Sequence, residues 1–245
     1  ITLFSPHDVP GLYEAYFGDA DEFKEMYEMY ERKTSIKKKK LPAMELFSAL
    51  VKERAETGRI YIMNVDHSNE HSSFKDKVYM SNLCQEITLP TKPLSHIDDP
   101  DGEIALCILS AINVGVIKDL DDLEELCELA VRALEEIIDY QAYPVKAAEI
   151  STKARRSLGI GYIGLAHYLA KNKVKFDDPQ SWKLVHDLTE AFQYYLLKAS
   201  NKLAQERGAC DYFDRTKYSD GILPIDTYKK DVDTIVENKL NYDWD

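Results

Sequence analysis

The residues best suited to chemistry lie in Met80–Pro90, which reads Met-Ser-Asn-Leu-Cys-Gln-Glu-Ile-Thr-Leu-Pro. A thiol, Cys84, stands two residues after an amide, Asn82, and two before a carboxylate, Glu86. In an extended segment side chains alternate faces with a period of two. Asn82, Cys84 and Glu86 would then share one face, and Leu83, Gln85 and Ile87 the other. An amide can orient a substrate by hydrogen bonding, a carboxylate can take a proton, and a thiol can do covalent or redox work. The same spacing suits a half-buried strand whose cysteine packs as a small hydrophobe. The trio by itself leaves both readings open.

Other groups compete for attention. The four cysteines, at 84, 107, 127 and 210, form no C-x-x-C pair. Without a charged-then-apolar leader, reduced thiols in a cytosol are expected. Cys107 lies in an apolar run, Ile104–Val116, that reads as a strand buried on both faces. Cys127 falls in a helical apolar stripe and reads as core, and Cys210 as structural or incidental. His67 and His71 could join Cys84 and Cys107 in a zinc-binding structural module. Against this, the two cysteines lie far apart in sequence, and Asp66–Ser73 reads as a polar loop with no helix to hold an i,i+4 pair. The basic run Lys37–Lys40 suggests a phosphate or nucleic-acid patch or, in so acidic a chain, a solvated helix start or loop. Gly159-x-Gly161-x-x-Gly164 has the spacing of a dinucleotide fingerprint. No acidic residue follows a second strand, however, and the upstream segment is helical and basic. The better reading is a short strand with close backbone approach.

Elements must position these groups. Residues 1–57 read as mainly helical, with helices at Leu12–Phe17, Glu22–Arg32 and Ala43–Glu56, the last stopped by Gly58. Leu46, Phe47, Leu50 and Val51 give it an apolar side. Residues 59–117 read as strands and loops. Arg59–Val65 is strand-like by its β-branched and aromatic content, and Thr91–Gly102 is a Pro- and Asp-rich turn. Residues 118–245 return to helix. One stripe runs Leu123, Leu126, Cys127, Ala130, Leu134, Ile137, Ile138. A second runs from Trp182 through Leu188, Phe192 and Tyr195 to Leu203, behind an Asp178-Pro179 start and ahead of Gly208. A short strand near 157–163 leads into a helix at 165–171.

The net charge of −12 disfavours nonspecific binding to nucleic acid or anionic membrane. No apolar run reaches the roughly 18 residues of a membrane span. Ile1 at the start and Asn241–Asp245 without a polar tail suggest a piece of a longer protein.

Ser81-Asn82-Leu83-Cys84-x-Glu86-Ile87, then Leu89-Pro90-Thr91-Lys92-Pro93 and Gly102-Glu103-Ile104-Ala105-Leu106-Cys107, resemble the large, catalytic subunit of class I ribonucleotide reductase, most of all its bacterial and phage branch. The resemblance runs the length of the chain. It includes Leu3–Pro6, Thr57–Tyr61, Asn64–His67, Leu158–Gly161 and Gly221–Tyr228. It implies an α/β fold, helix-rich overall, forming the central part of a ten-stranded barrel of two half-barrels with outer helices. It also implies reduction of ribonucleoside diphosphates to deoxyribonucleotides by thiyl-radical chemistry.

In that family the position matching Cys84 carries the radical that removes the 3′-hydrogen. Glu86 matches the carboxylate that takes the 3′-hydroxyl proton, Asn82 the amide that holds the ribose hydroxyls, and Cys107 one half of the reducing dithiol. No cofactor or metal is expected on this chain. A separate, metal-containing small subunit supplies the radical. ATP and dNTP effectors, and thioredoxin or glutaredoxin, engage segments outside it, and the setting is cytoplasmic. The dithiol partner of Cys107 belongs to an earlier family segment. The substrate-phosphate loop, the radical-relay tyrosines and the shuttle cysteines belong to later ones. A helical interaction domain would account for the stripes and acidity, but gives no reason for the Asn-Cys-Glu trio.

Overall fold

The computed structural model describes residues 1–227 and 240–244. Tyr228, the end of the Gly221–Tyr228 motif, lies outside them. The chain divides into two compact units, Ile1–Thr91 and Lys92–Asp245.

In the first unit, β1 (Thr2–Phe4) pairs antiparallel with β2 (Lys38–Lys40), with Phe4 opposite Lys38 and Thr2 opposite Lys40. The basic run is therefore a strand rather than a helix start or loop. One of its lysines, Lys38, serves the fold. Lys38 Nζ donates to the carbonyls of Glu31 at 2.5 Å and Lys33 at 2.7 Å, at the C-terminus of α2 (Ala20–Arg32), where a cation is favoured. At the other end Asp19 caps α2 by accepting from the amides of Asp21 and Glu22, both at 2.9 Å. α1 (Leu12–Tyr16) and α2 enclose a small core of Val9, Leu12 and Tyr30, with Phe4, Phe23, Met26, Tyr27 and Ile36 packed against it.

α3 (Ala43–Thr57) ends at Gly58 in the left-handed region, φ 65, as its sequence predicts. Its apolar side is exposed at Met44, Phe47, Leu50 and Val51. Residues 59–64 form no strand, since no partner strand among the described residues takes up their backbone hydrogen bonds. The polar stretch expected as a loop is largely helical: α4 spans Val65–Glu70.

In the second unit, β3 (Ile108–Asn113) and β4 (Leu158–Ile163) run parallel, with Leu109 opposite Gly159 and Ala111 opposite Gly161. The chain between them forms α5 (Asp122–Tyr140) and α6 (Lys146–Arg155). α7 (Leu165–Lys171) follows β4, and α8 (Pro179–Arg207) begins at Asp178, whose carboxylate accepts from the Gln180 amide at 2.9 Å. α5 and α8 pack through both predicted stripes. Leu123, Cys127, Leu188, Ala191, Phe192 and Tyr195 form a core with Ile112, Val114 and Ile117. Ile160 and Tyr162 of β4 pack against that core.

β3 is shorter than the predicted strand and is covered on one face only. Ile112 is buried, while Leu109, Ala111 and Asn113 are exposed. The fold is helix-rich, as expected. Among the described residues the strands form two two-stranded sheets and no closed barrel.

Candidate active site

Residues 81–87 are not extended. The chain turns at Leu83 and Cys84, and Gln85 takes φ 66, a conformation uncommon outside glycine. The loop is closed by its own polar groups. The Ile87 amide donates to Asn82 Oδ1 at 2.9 Å, the Gln85 amide to the Asn82 carbonyl at 3.1 Å, and the Ser81 hydroxyl to the Ile87 carbonyl at 2.7 Å. The period-two argument for a shared face therefore does not apply. What the loop does instead is hold Asn82, Cys84 and Glu86 exposed together within one tight turn. Since Asn82 spends its oxygen on the loop, its Nδ2 donors have no protein partner among the described residues. That end of the amide is the one that can meet a hydroxyl oxygen.

The loop is tied down on both sides. Upstream, fully buried Val78 is clamped by Asn69 of α4. Its amide donates to Asn69 Oδ1 at 2.9 Å, and its carbonyl accepts from Nδ2 at 3.0 Å. Downstream, Pro90 is fully buried. Sequence reasoning missed Asn69, because it took this stretch for a loop. The histidines on either side of it have ring centroids 6.5 Å apart. No group of three or more His, Cys, Asp or Glu among the described residues could hold a metal ion. The zinc reading thus gains no support.

Cys107 sits one residue ahead of β3 and is half-buried, its sulfur 3.9 Å from the Ile108 carbonyl. A Cβ added at Gly159, across the sheet, would stand 2.7 Å from that sulfur. The approach to β3 is anchored by Glu103, whose side chain is 2% exposed. Arg155 donates to its carboxylate from Nε at 3.0 Å and Nη2 at 2.5 Å. Arg215 Nη2 and Lys92 Nζ each approach to 3.3 Å. Burial alone would raise the Glu103 pKa, but the Arg155 hydrogen bonds and the surrounding cations outweigh it and hold the carboxyl below its ordinary value. In the preceding turn the Ser95 hydroxyl and amide and the Asp101 amide donate to Asp99 and bring its pKa to about 2.

Burial disfavours the thiolate at the other two cysteines. Burial in the α5–α8 core raises Cys127 to about 12, and burial also raises Cys210.

The family model for the ribonucleotide reductase barrel domain matches residues 1–245. The chain belongs to the ribonucleotide reductase barrel-domain family. It is 60% identical over 248 residues to the ribonucleoside-diphosphate reductase subunit alpha of Haemophilus influenzae, covering 100% of this chain and 33% of the relative. To subunit alpha of reductase 1 from Escherichia coli it is 58% identical, with 100% and 33% covered. To that of phage T4 it is 45% identical over 250 residues, with 100% and 32% covered. The resemblance to the bacterial and phage branch of the ribonucleotide reductase large subunit is thereby borne out. The chain spans about a third of the length of the curated relatives it matches.

Proposed function

We propose that this chain supplies the thiyl-radical cysteine and one redox cysteine of a ribonucleoside-diphosphate reductase large subunit. The observation that carries the reading is the self-closed Ser81–Ile87 loop. It exposes a thiol, a carboxylate and the donor end of an amide in one turn, within a chain of this family. Cys84, as a thiyl radical, takes the 3′-hydrogen of the ribose. Glu86 takes the proton of the 3′-hydroxyl while the 2′-hydroxyl leaves as water. Asn82, through Nδ2, orients the ribose oxygens. Cys107 and a second thiol from an earlier segment give up two electrons and two protons and become a disulfide. Overall, a ribonucleotide and a dithiol become a deoxyribonucleotide, a disulfide and water.

The remaining assignments follow the family. β3 and β4 are two strands of a ten-stranded barrel completed by other segments of the large subunit. The radical arrives from a separate, metal-containing small subunit, and no cofactor is held here. ATP and dNTP effectors, and thioredoxin or glutaredoxin, meet other segments, in the cytoplasm.

The test is one round of turnover by the full-length protein with its later shuttle cysteines replaced by serine, so that they cannot re-reduce Cys107, reduced beforehand and then freed of reductant. Deoxyribonucleoside diphosphate should form in step with a disulfide at Cys107, while Cys127 and Cys210 remain thiols by mass spectrometry. Product formed with Cys107 still a thiol would remove it from the redox role.

A further inference from the structure

Gly159 occupies the interior of β4, where glycine is disfavoured relative to alanine by its greater backbone freedom. Its backbone gives no reason for a glycine, since it is absent from the positive-φ glycines. Its surroundings do. A Cβ at 159 would stand 2.7 Å from Cys107 Sγ and 2.5 Å from Leu109 Cδ2. Both separations fall about 1 Å or more inside the roughly 3.5–4.0 Å at which heavy atoms attract. Gly161, two residues on in the same strand, meets nothing within 4 Å. The two glycines therefore differ: only Gly159 has a sulfur where its side chain would be.

We propose that Gly159 is a positioning residue for Cys107: its missing side chain is what allows the sulfur to keep the rotamer from which it forms the catalytic disulfide. This rests on the redox role proposed above for Cys107. Leu109 Cδ2 is the end of a flexible side chain that can turn aside about its own bonds. Cys107 Sγ must yield as well, either by a strained turn away from its staggered well or by a move to another well, 120° away about one bond, which displaces the sulfur by about 3 Å. A disulfide needs its sulfurs at about 2.05 Å with a restricted dihedral, so that displacement removes the bonding geometry. The backbone clash is absent, because both obstructing atoms are side-chain ends. Gly159→Ala thus leaves a folded protein with a misplaced sulfur. The electrons still leave two thiols and still reduce the 2′-carbon with loss of water; what changes is how readily the S–S bond forms.

The experiment uses the full-length protein, its later shuttle cysteines replaced by serine so that they cannot re-reduce Cys107, with its radical-generating subunit. Wild type, Gly159→Ala and Gly161→Ala are compared for product formed in one reductant-free turnover, and for the reduction potential of the Cys107 disulfide. Gly159→Ala should lose at least tenfold in the dithiol–disulfide equilibrium. That is an upward shift of about 30 mV for a two-electron couple. Single-turnover product should fall by a similar factor, while Gly161→Ala stays within twofold on both readouts. A folded Gly159→Ala with unchanged potential and product overturns the proposal. Cys107 remaining a thiol in wild type after turnover overturns its redox role and this proposal with it. If Gly159→Ala does not fold, Gly159→Ala with Cys107→Ala decides. Recovery of folding on removing the sulfur supports the steric link, and failure to recover overturns it.

Discussion

At the scale of single residues, the fold separates the cysteines by exposure. Cys84 is exposed at the apex of a turn, whereas Cys127 is sealed in the α5–α8 core with its thiol raised to about 12. Brief alkylation of the native protein at neutral pH should therefore label Cys84 and leave Cys127 unmodified, as read by peptide mass spectrometry. Labelling of Cys127 at a comparable rate would mean that the core opens. Cys84→Ser in the full-length enzyme should abolish nucleotide reduction and leave the thermal midpoint nearly unchanged. The exchange is small and exposed, and a hydroxyl holds its hydrogen too tightly to carry the radical. Turnover near the wild-type rate would take the radical role away from Cys84. Glu86→Gln keeps the shape and hydrogen-bonding capacity of the side chain but cannot accept the proton. Loss of a general base costs on the order of 10²–10⁴ in rate, so kcat should fall by that factor with substrate binding retained. A normal kcat would assign the proton to another group.

At the scale of elements, Glu103 shows how the thiol-bearing strand is held. It draws Lys92, Arg155 of α6 and Arg215 to one buried carboxylate just upstream of Cys107. Removing one partner of a buried pair strands the others, so Glu103→Ala should destabilise the protein by about 3–5 kcal/mol. The pH dependence follows in sign. The folded-state pKa of Glu103 lies below its ordinary value near 4.5. Its contribution is therefore fully present above about pH 4.5 and is lost as pH falls through the lowered folded value. Glu103→Gln should flatten that part of the acid unfolding curve, and an unchanged acid arm would locate the titrating group elsewhere.

Much of this level was legible in the sequence. Both long helices, α5 and α8, carry their apolar stripes at helical spacing, with Asp178-Pro179 starting α8 and Gly208 following its end, so local chemistry and tertiary packing agree there. The failures share a cause. Arg59–Val65 has the composition of a strand, and Lys38–Lys40 does not, yet only the second finds a partner. Strand formation is settled by pairing across the chain, which a local window does not contain. The Cys84 loop escaped for a related reason: Ser81 and Asn82 bond backbone groups five and six residues on and override the extended form. The candidate residues could be named from the sequence; the turn that presents them could not be read there.

At the scale of the whole molecule, each unit exposes apolar surface among its described residues. α3 exposes Met44, Phe47, Leu50 and Val51, and the sheet of β3 and β4 exposes Leu109, Ala111 and Ile163 on the face that carries no helix. A two-stranded parallel sheet also has unpaired backbone along both outer edges, a template for further strands. Curated relatives are about three times as long as this chain. These 245 residues by themselves should show no ribonucleotide reduction, even with a radical-generating partner and a dithiol. Cys107 would lack the second thiol that completes the two-electron step, and substrate would lack its phosphate-binding loop. The uncovered apolar faces and open strand edges should make the chain self-associate, or fold stably only with complementary segments of the large subunit. Sedimentation of the chain alone, and turnover after mixing it with the purified complementary segments, test both halves. Activity that appears only on mixing places the site across segments. A monomeric chain that converts a ribonucleoside diphosphate to its deoxy form unaided would show that Cys107 has found another reductant and that the missing thiol is dispensable.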